Sequence, residues 1–167
     1  MRIEPQADGA LQILEVPLHL AELFRQITHC SELSSSDAED RLFPSPVSGK
    51  PQNSKIKAGI ISDWKAFVQP GLDEHFRSHR SIVESDIQRM ETKQGTFSIT
   101  IPFSHIDAWI GTLIQARLAI VAAHNLEEKD IARDEVTHIE SKRDLAILRI
   151  HFYGSILQSL IEETETD

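Results

Sequence analysis

The sequence predicts an α+β domain, mainly α: a helical bundle carrying a small antiparallel β-sheet. Three stretches predict it. Residues 104–125, SHIDAWIGTLIQARLAIVAAHN, put Ile106, Trp109, Ile110, Leu113, Ile114, Ile120 and Val121 on one broad face at ~100° per residue. Residues 141–163 carry a still wider apolar arc, from Leu145 and Leu148 through Phe152, Tyr153, Ile156 and Leu157 to Leu160 and Ile161. Residues 2–16 read as a hairpin about Asp8-Gly9, a favoured tight-turn dipeptide, with Leu11 and Ile13 able to pair back on Ile3.

The remaining elements follow in order. Pro5 limits the first strand. Pro17 suits the first turn of a helix whose narrow stripe is Leu20, Leu23, Phe24 and Ile27. From residue 31 to 55 the composition turns to Ser, Asp, Pro and Gly. A short helix capped by Ser36 or Asp37 is expected there, then Leu42-Phe43 running into Pro44, and a mobile loop near 44–55. Residues 60–67 are expected to be helical, with Ser62 as a cap and Pro70 marking a break or a new start. A longer helix over about 72–92 shares Leu72, Phe76, Val83, Ile87 and Met90 on one face. Gln94-Gly95 ends it, and Thr96–Ile101 reads as a strand that completes a sheet with the hairpin. Ser104 is the expected cap of the central helix, roughly 30 Å long, and His124 is placed to serve its negative end. A short helix is expected from Glu127, and the last helix starts at the Ser141 cap. Its arc requires neighbours on more than one side, which places it centrally or at a dimer interface. The tail from 162 to 167 is acidic and expected to fray.

At 167 residues the chain is about one domain, spanning 1–167, that buries about 70% of its unfolded surface. A net charge of −9 without a dense basic run argues against nucleic acid and against an anionic membrane surface. The single cysteine, Cys30, excludes an internal disulfide and suits a reducing compartment. The start MRIEPQADG has no apolar leader, and the expectation is a cytoplasmic protein.

Three segments resemble an uncharacterised bacterial family, the domain of unknown function numbered 2017. They are Arg41-Leu42-Phe43-Pro44, the run from Ala108-Trp109 to Ala116-Arg117-Leu118, and Tyr153 through Leu157-Gln158. The order of elements matches too. The chain departs where the family places a glycine after the Arg-Leu pair, since Ala122 or a neighbour stands there. It departs again at Phe152-Tyr153-Gly154, where the family shows a tryptophan-rich pattern. The resemblance therefore implies a distant member. It implies a fold rather than an activity, and the family's genomic neighbourhood beside the Clp-protease adaptor implies a link to proteostasis.

No catalytic arrangement of Ser, His, Asp or Cys stands out, and no Gly-rich phosphate loop implies a cofactor. The anomalies are Arg117 and Arg149, each projecting from within the apolar arc of a long helix. An arginine is not neutralised by burial, so both need anionic or carbonyl partners or a path to water. His75, His79 and Asp86 lie along one edge of the preceding helix and can supply them. The set reads as a structural network, an anion pocket, or a metal site with His75 and His79 one turn apart. No third ligand stands at a recognisable spacing, so a catalytic metal is not expected. Arg41-Leu42-Phe43-Pro44 reads as a latch on the bundle or as an exposed docking motif. The expected role is a non-enzymatic regulatory or protein-interaction module with an unidentified protein partner, homodimerisation remaining open. The alternative is a small-anion or metal-binding protein, with enzymatic activity left open, using Arg117, Arg149, His75, His79 and Asp86.

Overall fold

Alternation about Asp8-Gly9 does fold into a hairpin. The computed structural model describes residues 1–32, 42–47, 54–93, 95–132 and 139–164. Strands β1 (Arg2–Pro5) and β2 (Leu11–Val16) pair antiparallel with Ile3 opposite Ile13. Gly9 supplies the positive φ of the turn, and the Asp8 carboxylate accepts the Ala10 N–H at 3.1 Å. Between Ile13 and Val16 the pairing of β2 shifts register, at a bulge where Glu15 takes φ 55°.

The helix expected to run to about 92 stops at Gln88. Residues Glu91–Lys93 form strand β3, which pairs with β4 (Thr96–Ile101) across the Gly95 turn. The resulting four-stranded sheet has the order β1-β2-β4-β3, all antiparallel. Its inner face presents Leu11, Ile13, Val16, Ile99 and Ile101, all buried.

On that face lie α1 (Leu18–Arg25), the single turn α2 (Ile27–Cys30) and the two long helices α5 (Ile106–Ala123) and α7 (Lys142–Thr164). Phe24 meets the rings of Trp109 and Phe152 edge-on at 6.3 and 5.2 Å, the arrangement favoured by the ring quadrupoles. Helix α7 is central: Ile147, Ile150, Tyr153, Ile156, Leu157 and Leu160 are buried, while Ile161 reaches the surface. The Tyr153 hydroxyl donates to the Leu23 carbonyl at 3.0 Å, and burial beside Cys30 pushes its pKa up. At the start of α7, Ser141 Oγ accepts the Asp144 N–H at 3.1 Å while Asp144 accepts the Ser141 N–H at 2.9 Å, a reciprocal cap.

Ser104 does not cap α5. It lies in a 3-10 turn, Phe103–His105, and α5 starts at Ile106 without a side-chain cap. Ile114, expected on the core face, is exposed. The segment Phe103–Ala123 has the length and apolar content of a membrane-crossing helix, yet Ile106, Trp109, Leu113, Ala116 and Ile120 are spent on the protein core. The short helix after it is α6 (Glu128–Ile131), held by a capping box between Glu127 and Asp130.

The helical run before the sheet is longer than its sequence suggests. Helix α3 (Ser54–Asp63) continues through a π-helical turn, Trp64–Val68, into α4 (Gln69–Gln88). Ser62 is therefore an interior residue, not a cap. Pro70 falls in the first turn of α4, marking a new α-helical start as expected, but the helical run is not interrupted: Pro70 lacks an N–H and crowds the carbonyl four residues earlier. The backbone widens just ahead of it, and the Gln69 N–H reaches the Trp64 carbonyl. The C-terminal half of α4 packs on α5, whereas among the described residues α3 and the π-turn contact mainly each other and the start of α4. The expected Ser36 or Asp37 helix lies outside the described residues, as do Arg41, the loop at 48–53 and the tail at 165–167.

Candidate functional site

Helices α4 and α5 run antiparallel, and this geometry distributes the polar residues singled out in the sequence. Asp86, at the C-terminal end of α4, is only 1% exposed. Its carboxylate accepts the Trp109 indole N–H at 2.9 Å, lies 3.0 Å from His105 Nδ1 through both oxygens, and pairs with Arg89 one turn along its own helix. Every strong partner of the buried anion is thus drawn from the start of α5 or from α4 itself. Arg117 stands eight residues beyond Trp109, ~12 Å along the axis. The expected contact between Arg117 and Asp86 is not formed, for that reason.

Nor does Asp86 meet Arg149. That guanidinium hydrogen-bonds the side-chain carbonyl of Gln26, at the kink between α1 and α2. Both arginines are half-buried rather than deeply buried. Arg117 has no hydrogen bond or ion pair among the described residues, and its Nε is shut from solvent. It lies against Gly154 of α7, with an added Cβ there falling 3.5 Å from the guanidinium carbon. It also lines a groove of about 720 Å³ between α5, α6 and α7.

His75 and His79 stack with ring centroids 4.0 Å apart, His75 exposed and His79 half-buried. Among the described residues no cluster of three metal-ligating side chains includes them. The His79 ring lies over Gly111 of α5, where an added Cβ would fall 2.8 Å from Nδ1. Nearby on α5, Thr112 and Gln115 are buried, and Gln115 accepts a hydrogen bond from Arg80 at 3.4 Å. The five residues grouped in the sequence thus fall in four separate places: the Asp86 node, the seam of His75 and His79, the Arg117 groove, and Arg149 at Gln26 just past α1.

Gly111→Ala tests the seam. Alanine alone favours a helix over glycine by about 1 kcal/mol, but the new methyl must displace His79. The substitution is expected to destabilise the wild type and to stabilise a His79→Ala background by about 1 kcal/mol in urea melts, a coupling of at least that size. Equal effects in both backgrounds would contradict the contact.

Burial lowers the pKa of His79, and the adjacent His75 lowers it further against the opposing pull of Asp107. A folded-state pKa below the unfolded 6.5 means that stability is complete above pH 6.5 and is lost as pH falls through the folded value. His124 shifts the same way, through burial and then the cations Arg149, Arg143 and Lys142, which opposes its expected cationic role at the end of α5. Thermal melts from about pH 7 to pH 5 should show a falling Tm, with a shallower fall in His79→Gln.

The latch residues divide. Phe43 is 7% exposed and packs on Phe76 of α4 at 5.6 Å between ring centroids; Leu42 is half-buried and Pro44 exposed. Phe43 is buried as a latch requires, whereas Leu42 is only half-covered, so the two readings are not separated by burial of both side chains.

What the sequence did not mark as a site is the arm formed by α3 and the π-turn. Phe67 is 80% exposed, Ile56 62% and Ile60 44%, and Val68 joins them. The signal was present in the stripe at 56, 60, 64 and 67, which repeats at helical spacing; a stripe alone does not reveal whether anything covers it. Between residues 54 and 68 the arm carries Lys55, Lys57 and Lys65 against the single acid Asp63, in a chain of net charge −9.

A family model described as Domain of unknown function (DUF2017) matches residues 6–164, nearly the whole chain. No curated protein and no solved structure matches it.

Proposed function

Since the chain belongs to the DUF2017 family, whose description carries no activity, we propose from its geometry that it is a non-enzymatic protein-interaction module. The exposed apolar arm carries the reading. Contiguous apolar side chains left uncovered on a folded protein mark binding surfaces, and an amphipathic helix commonly docks such a stripe into a partner's groove. The partner it fits is a protein groove with an apolar floor and an acidic rim. The exposed Lys65 supplies complementary charge, and it disfavours packing one arm against another. A cytoplasmic setting and a role in protein quality control fit the lone cysteine and the family resemblance.

Phe67→Glu tests this by placing a carboxylate at the most exposed point of the stripe. Captured from the native cell at low salt, the wild-type chain is expected to retain a partner in near-stoichiometric amount. The variant should retain at least tenfold less. Equal retention by both would overturn the reading, and retention of a second copy alone would replace the acidic partner with self-association.

A further inference from the structure

The groove between α5, α6 and α7 combines a cation with apolar walls, and the cation has no hydrogen bond or ion pair among the described residues. Arg117 stands on the α5 wall. Its guanidinium rests on the α7 backbone at Gly154, the only α7 residue along this wall with no side chain to hold it away. Ile150, Leu157 and Ile161 of α7 and Ile131 of α6 line the rest. His151, whose buried Nε2 also lacks a partner, lies on the same side. At the far end Gln158 donates to Glu162 at 2.8 Å. Glu162 lies two turns, ~12 Å, beyond Gly154, too far to neutralise the arginine directly.

An unpaired, half-buried guanidinium is costly in a protein with 26 acidic residues to choose from. Arg143, by contrast, finds Asp130 at 2.6 Å, and Arg77 finds both Asp73 and Glu74. Among the described arginines Arg117 is the exception, and it faces an open volume within the range of small-molecule sites. We infer that this groove binds a small apolar carboxylic acid, with its carboxylate on Arg117 and its hydrocarbon body along Ile150, Leu157 and Ile161. A planar carboxylate matches the guanidinium fork. A phosphate dianion would call for more cations than one arginine, and an amine would meet the wrong charge. The groove is built from helices other than the arm, so ligand binding here and partner docking there are separable.

Octanoate is the probe. At about a hundredfold excess over its dissociation constant it is expected to raise Tm by roughly 5–10 °C, while octan-1-ol and octylamine have little effect. Arg117→Gln should weaken octanoate binding at least tenfold in calorimetric titration. A second variant, Ile161→Glu, leaves the arginine in place and sets a carboxylate at the surface end of the groove, where it should also abolish binding without changing the melt of the free protein. No shift with octanoate would overturn the inference. So would an equal shift with octan-1-ol, or binding unchanged in both variants.

Discussion

Replacing Asp86 with alanine is expected to cost about 3 kcal/mol and to lower Tm by roughly 6–12 °C. The carboxylate is sealed from solvent and holds three donors from two helices. Its loss leaves the buried Trp109 N–H without an acceptor, a penalty of about 1–3 kcal/mol by itself, and releases His105 and Arg89. The figure lies at the low end for a broken buried pair because Arg89 is largely exposed and regains water. Asp86→Asn retains an acceptor for the indole and, through the imidazole tautomer, a partner for His105. It should cost less than half as much. Urea unfolding followed by Trp109 fluorescence measures both variants. Equal costs would mean that the charge on Arg89, and not the indole bond, carries the node.

The second large effect concerns binding rather than stability. Ile60→Glu and Phe67→Glu, together, should leave Tm within about 2 °C of wild type, because both side chains are exposed. Partner capture should fall by more than tenfold, as two carboxylates are driven against an apolar floor and acidic rim. The same substitution at Ile99, which is fully buried in β4, would unfold the protein. A large loss of stability in the arm variant would show instead that the stripe is covered within the chain. Raising the salt concentration should weaken capture by wild type, since part of the attraction comes from the exposed Lys65.

The elements that were legible in the sequence are those whose signal is local. The hairpin follows from Asp8-Gly9, α5 and α7 from sustained helical periodicity, and β4 from its β-branched alternation. Strand β3 was not legible because Glu91, Thr92 and Lys93 are polar and fully exposed; they are held by backbone pairing, which leaves no side-chain pattern. The π-turn was misread for a related reason: Pro70 signals a broken ladder, but the surrounding contacts decide whether the helix stops or widens. The buried charge on Asp86 was visible as a polar residue on an apolar edge. Its partners lie 19 and 23 residues away, and only the packing angle of α4 on α5 selects them over Arg117. The surroundings of Arg117 and Arg149 diverge because Arg149 reaches the Gln26 carbonyl, whereas Arg117 meets no acceptor among the described residues. The arm illustrates the same limit, since Ile56, Ile60 and Phe67 have the spacing of a core stripe and only their exposure in the fold distinguishes them.

Site-specific photo-crosslinking tests the central claim most directly. A photoreactive phenylalanine analogue at position 67 is expected to yield one discrete protein adduct in the native cell, joined through a segment rich in acidic and apolar residues. The adduct should disappear when Ile60→Glu is added. The same analogue at Lys129, an equally exposed position on α6, should give none. No adduct from position 67, or the same adducts from positions 67 and 129, would contradict the assignment of the arm as the docking surface.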